Sequence, residues 1–214
     1  MRGLLRRHGL DADKGFGQNF LVDEAALRAI VAAADIVPED EVWEVGPGLG
    51  TLTRELARRS RRVVTIELDE RLLPVLDETL APWPHVDVRA ADALAVDYAA
   101  ATPGALFVAN LPYHVGTAIL TRVLAAGRFR RAVVLVQREV GDRLAATAGT
   151  PAYGSLSLWV AHHGGARSVR HVPPGAFFPP PTVASSIVRI DLDPAARPDP
   201  RTFALVRDAF RHRR

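Results

Sequence analysis

Short apolar runs alternate with amphipathic stretches through most of this chain, and the alternation predicts its elements. Asp23 stands where a helix N-cap belongs, with Ala26, Leu27, Ile30, Val31 and Ala34 following at helical spacing, so a helix is predicted to about Ala34. From there the pattern switches repeatedly. Val42–Val45, Arg62–Glu67, Val86–Arg89, Ala105–Ala109 and Ala132–Val136 read as strands. Thr51–Arg59, Glu70–Leu80, Gly116–Leu124 and Glu139–Ala146 read as the helices between and after them, with Pro74 a mild objection to the second. Strands alternating with helices imply an α/β fold, a mostly parallel sheet covered on both faces. Residues 155–163 and 183–192 read as a closing pair of strands, separated by the rigid, proline-rich stretch Pro173–Pro181. Pro194–Pro200 reads as a linker and Thr202–Phe210 as the start of a further helix.

The first strand leads into three glycines at alternate positions, Gly46, Gly48 and Gly50, with a helix directly behind them. Glycine is needed where the backbone turns sharply or a ligand approaches the main chain. Dinucleotide folds space these glycines as G-x-G-x-x-G. Here the spacing is G-x-G-x-G, stiffened by Pro47, which favours a nucleoside-type ligand without a pyrophosphate and disfavours a nicotinamide dehydrogenase.

Polar residues cluster where ligands of such sheets bind, beyond the carboxyl ends of the strands. Glu67, Asp92 and Asn110 each follow an apolar strand. A carboxylate at Glu67 can accept from two ribose hydroxyls, and Asp92 from an adenine amino group, although Asp92 equally suits an Asx turn. Asn110-Leu111-Pro112-Tyr113 is the most informative stretch. Pro112 pushes Leu111 out of helical conformation, which frees backbone carbonyls. The Asn110 oxygen and one such carbonyl can then accept from a single exocyclic amino group, and Tyr113 offers a face for a base to stack on.

Composition narrows the rest. The chain has 214 residues and 48% hydrophobic residues, enough for one substantial domain. It has no cysteine, which excludes disulfides and thiolate chemistry and is compatible with a cytoplasmic protein. No apolar run reaches membrane-spanning length, and no secretory signal is seen. Net charge is +3, and Lys14 is the only lysine among 27 basic residues. Codon bias accounts for most of that arginine excess, but the basic balance still favours a nucleic-acid partner. Arg2, Arg6, Arg7, Lys14 and Arg138 are candidate phosphate contacts. His162 and His163, adjacent on an expected strand, face opposite sides and do not read as metal ligands. Trp43, Trp83 and Trp159 read as packing residues.

Taken in order, Gly17-Gln-Asn-Phe-Leu21, Glu44-Val-Gly-Pro-Gly-Leu-Gly50, Asp92-Ala-Leu94, Asn110-Leu-Pro-Tyr113, Gln137-Arg-Glu-Val140, Tyr153-Gly154 and Phe177-Phe-Pro-Pro-Pro-Thr-Val183 resemble the ribosomal RNA adenine N6-dimethyltransferases, most nearly those of the bacterial small subunit. The likeness runs over nearly the whole chain. It implies a Rossmann-like class I methyltransferase with S-adenosylmethionine as donor and no metal. It implies 16S rRNA in a 30S precursor as partner, with two adjacent adenines near its 3′ end each dimethylated, by a cytoplasmic monomer in ribosome biogenesis. Carried over by position, Asn19, Leu21, Gly46, Gly48, Glu67, Asp92, Ala93 and Asn110 hold the donor. Asn110, Leu111, Pro112, Tyr113 and Phe177 handle the target base, with Tyr113 and Phe177 sandwiching it. The implied domains are an N-terminal arm over 1–16, a catalytic domain over 17–192, and over 193–214 a linker and the start of a truncated helical domain. That truncation is expected to weaken RNA binding and spare donor binding, and Thr182 stands where relatives often carry a basic residue. Two other readings are a 23S rRNA adenine methyltransferase of macrolide resistance and a non-catalytic assembly factor. Leu111 and the Gly-Pro-Gly turn oppose the first. The complete set Glu67, Asp92, Asn110 and Tyr113 opposes the second.

Overall fold

Five parallel strands form the centre of the sheet. β2 (Glu41–Val45) lies between β3 (Arg62–Glu67) and β5 (Ala105–Asn110), with β4 (Val86–Ala90) outside β3 and β6 (Phe129–Gln137) outside β5. β9 (Ser185–Leu192) and β7 (Gly164–Val172) extend the sheet antiparallel beyond β6, giving the order β4-β3-β2-β5-β6-β9-β7. A separate two-stranded pair joins β1 (Phe20–Leu21) to β8 (Phe177–Phe178), with Phe20 opposite Phe178 and Leu21 opposite Phe177. The computed structural model describes residues 2–10, 18–193 and 195–196. Gly17, Lys14, most of the expected Pro194–Pro200 linker and the expected helix from Thr202 lie outside the described residues.

Burial on both faces explains the nearly continuous apolar strands. Along β5, Leu106 and Val108 face one layer, made by α2 (Glu24–Ala34) and α3 (Thr51–Ala57), where Ile30, Val31, Leu52 and Leu56 are buried. Phe107 and Ala109 face the other, made by α5 (Gly116–Ala125), α6 (Arg138–Leu144) and α7 (Ser155–His163), where Ile119, Leu120, Leu144 and Val160 are buried. Asp23 caps α2 as expected, its Oδ1 accepting from the Ala26 N–H at 2.6 Å. Pro74 sits in the first turn of α4 (Leu73–Leu80), where its missing N–H costs nothing, and a 3₁₀ turn over Glu70–Leu72 precedes it. Trp43 packs edge-on against Phe129 and beside Tyr98.

One element differs in kind from the sequence expectation. Residues 155–163, expected as a strand, form α7, and the closing strands are β7 and β9. Leu156, Leu158 and Val160 alternate, which imitates a strand. Yet the buried positions are Leu156, Ser157, Val160 and His163, a helical spacing. Ser157 Oγ accepts from the Gly154 N–H at 3.0 Å and donates to Arg143 O at 2.6 Å, fixing the start of α7 against α6. His162 and His163 therefore end a helix rather than occupy a strand; His163 is buried and His162 exposed.

The expected polar arm begins as α1 (Arg2–Arg7). Leu5 inserts beside Phe20, Leu49, Leu72 and Val75 in a small apolar cluster of its own. Arg7 and His8 both bond Glu78 of α4, each at 2.6 Å. No helix among the described residues is long and apolar enough to cross a membrane.

Candidate active site

From β2 the chain runs outward to β3 and β4, then returns to β5 on the opposite side of β2. The crevice at such a reversal, beyond the strands' carboxyl ends, is where α/β sheets bind ligands. A cavity of about 360 Å³ opens there, lined mainly by segments 18–21, 44–52, 66–68, 91–93 and 110–115. That volume lies in the usual range for small-molecule sites.

The glycine turn forms one wall. Gly46, Gly48 and Gly50 have φ of 69°, 58° and 75°, in the left-handed region that glycine tolerates without strain. Gly48 has a second reason to be glycine: a Cβ there would lie 2.9 Å from the Phe20 ring. The turn is held by the Gly46 N–H donating to Ile66 O and the Gly50 N–H to Pro47 O, both at 2.9 Å.

Glu67 ends β3 facing this turn. Its Oε2 accepts from the Gly48 N–H at 3.3 Å and its Oε1 from the Asp69 N–H at 2.9 Å, so the carboxylate is oriented before any ligand arrives. Burial raises its pKa, partly offset by the backbone N–H groups of Asp69, Gly48 and Leu68. Asp69 is held low by Arg71, and it also accepts from Gln18 at 2.8 Å. Deeper lies Glu44, 1% exposed, its Oε2 accepting from Thr65 Oγ1 at 3.3 Å. Burial pushes its pKa up to about 8; the hydroxyls of Thr53 and Thr65 offset part of that, and the neighbouring Glu67 adds to it. Glu44 is thus mainly a neutral carboxyl at neutral pH.

On the opposite side, Asn110 ends β5 and its Nδ2 donates to Asn19 O at 3.1 Å. This bond fixes the amide plane and leaves Oδ1 to accept from a ligand. The loop behind is anchored by the Leu111 N–H to Leu135 O at 3.0 Å and the Gly116 N–H to Pro112 O at 2.8 Å. Tyr113 is half-buried at the cavity wall, its hydroxyl bonded to Ser185 Oγ at 2.8 Å. Burial raises the pKa of the phenol, so it stays protonated. Asp92 makes the Asx turn: its Oδ1 accepts from the Leu94 N–H at 2.8 Å, leaving Oδ2 as the remaining acceptor.

Asn19, Leu21, Gly46, Gly48, Glu67, Asp92, Ala93, Asn110, Leu111, Pro112 and Tyr113 are therefore brought to one cavity from five separate segments. Phe177 is not. It is 3% exposed and packs with Leu21 in the core under α2, because strand pairing points both side chains inward. The expected sandwich of Tyr113 and Phe177 is corrected accordingly: Phe177 braces the wall that carries Asn19 and Leu21. Sequence reasoning passed over the apolar walls, Leu49, Ile66, Leu72 and the 57% exposed Leu68. A single exposed leucine is unremarkable in a sequence. Glu44 did carry a signal, an acid set between Trp43 and Val45 in the middle of an apolar run. Of the basic candidates, Arg6 is exposed, Arg7 is engaged by Glu78, and Arg138 faces Asp142 at 3.8 Å.

Comparison with known proteins gives concordant matches. The family model described as ribosomal RNA adenine dimethylase matches residues 9–212. The chain is 50% identical over 215 residues to the ribosomal RNA small subunit methyltransferase A of Deinococcus radiodurans, covering all of this chain and 73% of that protein. It is 43% identical to the same-named protein of Lactiplantibacillus plantarum, covering 100% and 76%. Among solved structures, a dimethyladenosine transferase from Plasmodium falciparum superposes with a TM-score of 0.81 at 27% identity, over 91% of this chain and 72% of that one. The 23S rRNA methyltransferase ErmE superposes with a TM-score of 0.77 at 30% identity, over 87% and 75%.

Proposed function

Since the chain belongs to the ribosomal RNA adenine dimethylase family, we propose that it transfers methyl groups from S-adenosylmethionine to N6 of two adjacent adenines near the 3′ end of 16S rRNA, dimethylating each. The observation that carries this reading is the tether from Asn110 Nδ2 to Asn19 O. It leaves an oriented amide oxygen at the cavity, the acceptor an exocyclic amino group requires. The names of relatives 40–50% identical over essentially the full chain favour the small subunit over 23S rRNA.

The residues present fit the donor. The Gly46–Gly48 turn leaves room for its methionine part. Glu67 has an acceptor lone pair remaining on each oxygen for the ribose hydroxyls. Asp92 Oδ2 and the backbone at Ala93 suit the adenine edge, against Leu68 and Ile66. S-adenosylmethionine, when bound, supplies a methyl already activated on a sulfonium centre.

The chain's own part is positioning. Asn110 Oδ1 accepts one hydrogen of the target amino group, and a backbone carbonyl of the Leu111–Pro112 link accepts the other. Both bonds draw the nitrogen lone pair out of conjugation with the ring. Tyr113 supplies a stacking face for an adenine that has left its own stack. None of these groups takes a proton. Oriented attack rather than base catalysis is what the site provides, and the spare N6 proton passes to solvent after transfer. We further propose that residues 17–192 form the catalytic unit.

The test is methyl transfer from labelled S-adenosylmethionine to unmethylated 30S particles and, in parallel, to unmethylated 23S substrates, with the product mapped. Dimethyladenine confined to the small subunit is the expected result. Label confined to 23S RNA would move the protein to the large-subunit enzymes. Asn110→Ala is expected to keep donor binding and lose transfer; near-normal turnover refutes the mechanism.

A further inference from the structure

The hydroxyl of Tyr113 has no part in stacking, yet it has a dedicated partner 72 residues away, Ser185 Oγ at 2.8 Å. Ser185 is fully buried. It is the first residue of β9, paired with Gln137 of β6 on one side and Val172 of β7 on the other. Its backbone is therefore held from both flanks. The next residue, Ser186, is clamped as well: its Oγ bonds His171 Nδ1 at 2.9 Å, and α6 comes so near that a Cβ on Gly141 would stand 2.7 Å from the Ser186 Cβ. Tyr113 itself sits in a turn between β5 and α5, where its backbone belongs to no ladder. Without a tether, rotation about its side-chain bonds would sweep the ring through several orientations at the cavity wall. A bond at the far end of the ring removes that freedom.

We propose that Ser185 is a positioning residue for the target base: its hydroxyl pins the phenol of Tyr113 and so fixes the plane on which the adenine stacks. The inference rests on the assignment of Tyr113 as the stacking face. It adds a contribution from β9, through a residue that is not part of the cavity lining. It also gives the phenol a role that a phenylalanine could not fill.

The test is a double-mutant cycle with Ser185→Ala, Tyr113→Phe and the pair, measuring kcat and KM for unmethylated 30S particles and donor affinity by calorimetry. Each single change breaks the same bond from one end and keeps the aromatic ring itself, so only its orientation is freed. Each is expected to lower kcat/KM about three- to tenfold, mostly through kcat, the scale of one neutral hydrogen bond. Donor affinity is expected to hold within about twofold in Ser185→Ala, which also reports that this variant folds. The double variant is expected to be no worse than either single one. A further loss when Ser185→Ala is added to Tyr113→Phe overturns the proposal, because Ser185 then acts through something else. If Ser185→Ala does not fold, Tyr113→Phe alone decides: an unchanged kcat/KM overturns the proposal, and the expected loss supports it. Asn110→Ala, run alongside, separates the two levels. If it stays active, the reading of the site fails. If it is inactive while the cycle is additive, only the role of Ser185 fails.

Discussion

Replacing Glu44 by glutamine tests the electrostatics of the cavity floor without changing its shape. The glutamine oxygen can still accept from Thr65, and the amide is as large as the carboxyl it replaces. In the folded protein the Glu44 pKa is raised from 4.5 to about 8, burial being the chief cause. In the unfolded chain the group titrates near its ordinary value. Between those two values the folded state holds a proton that the unfolded state has lost. Stability must therefore fall as pH rises through this window and level off above about 8. At 1.36 kcal/mol for each pH decade, the ceiling is about 5 kcal/mol. Relaxation and water entry around an ionised buried group reduce such penalties, so about 1–3 kcal/mol is expected. The assay is urea unfolding of the wild type and Glu44→Gln at intervals from about pH 5 to about pH 9. Other titrating groups are common to both proteins and cancel in the difference, except for the part of the Glu67 titration that Glu44 itself perturbs. Glu44→Gln is expected to gain on the wild type steadily as pH rises. A difference that stays flat across the range would show Glu44 to be ionised in the fold and would refute the argument from burial.

Other changes test the remaining walls. Glu67→Ala removes a pre-oriented carboxylate, and donor affinity measured by calorimetry should fall roughly 10- to 100-fold, the range for charged hydrogen bonds; unchanged affinity would mean the ribose is held elsewhere. Gly48→Ala combines a φ of 58° with a Cβ 2.9 Å from the Phe20 ring, so thermal unfolding should report a loss of about 1–3 kcal/mol together with weakened donor binding. Leu5→Ala should loosen α1 from Phe20, Leu49 and Leu72, seen as faster tryptic cleavage after Arg6 or Arg7 and a donor affinity weaker by roughly a few-fold. If cleavage is unchanged, α1 is held by the Glu78 bonds rather than by its apolar contact.

The sequence made some of this legible because certain residues are nearly sufficient in themselves. Asp23 before an amphipathic run marks a helix start in almost any context, and the structure has that cap. The three glycines announce positive φ, and all three have it. Glu67 and Asn110 were found because a polar residue at the end of an apolar strand has few other reasons to be there. What escaped depended on partners distant in the chain. The start of α7 is fixed by Arg143 of α6, so a local pattern of alternating leucines pointed to a strand. β7 is an edge strand in which glycines, arginines and polar residues outnumber Ala166, Val169 and Val172, so it is recognisable only beside β9. Phe177 lies in a motif associated with the target base, but its direction is decided by pairing with Leu21. No local signal tells an inward phenylalanine from an outward one.

That short pairing of β1 with β8 bears on when during synthesis the enzyme first becomes competent. Asn19, whose carbonyl aims the Asn110 amide, is made early, whereas the strand that holds its segment in place is not complete until Phe178. On a translating ribosome α1 and Gln18 can find Glu78 and Asp69 early, but Phe20 and Leu21 must wait for Phe177 and Phe178 before their strand partner exists. The central strands can align before then, since they follow one another closely, but the cavity lacks one wall. Half-made copies accordingly lack the last brace of the wall that carries Asn19, and competence arrives late.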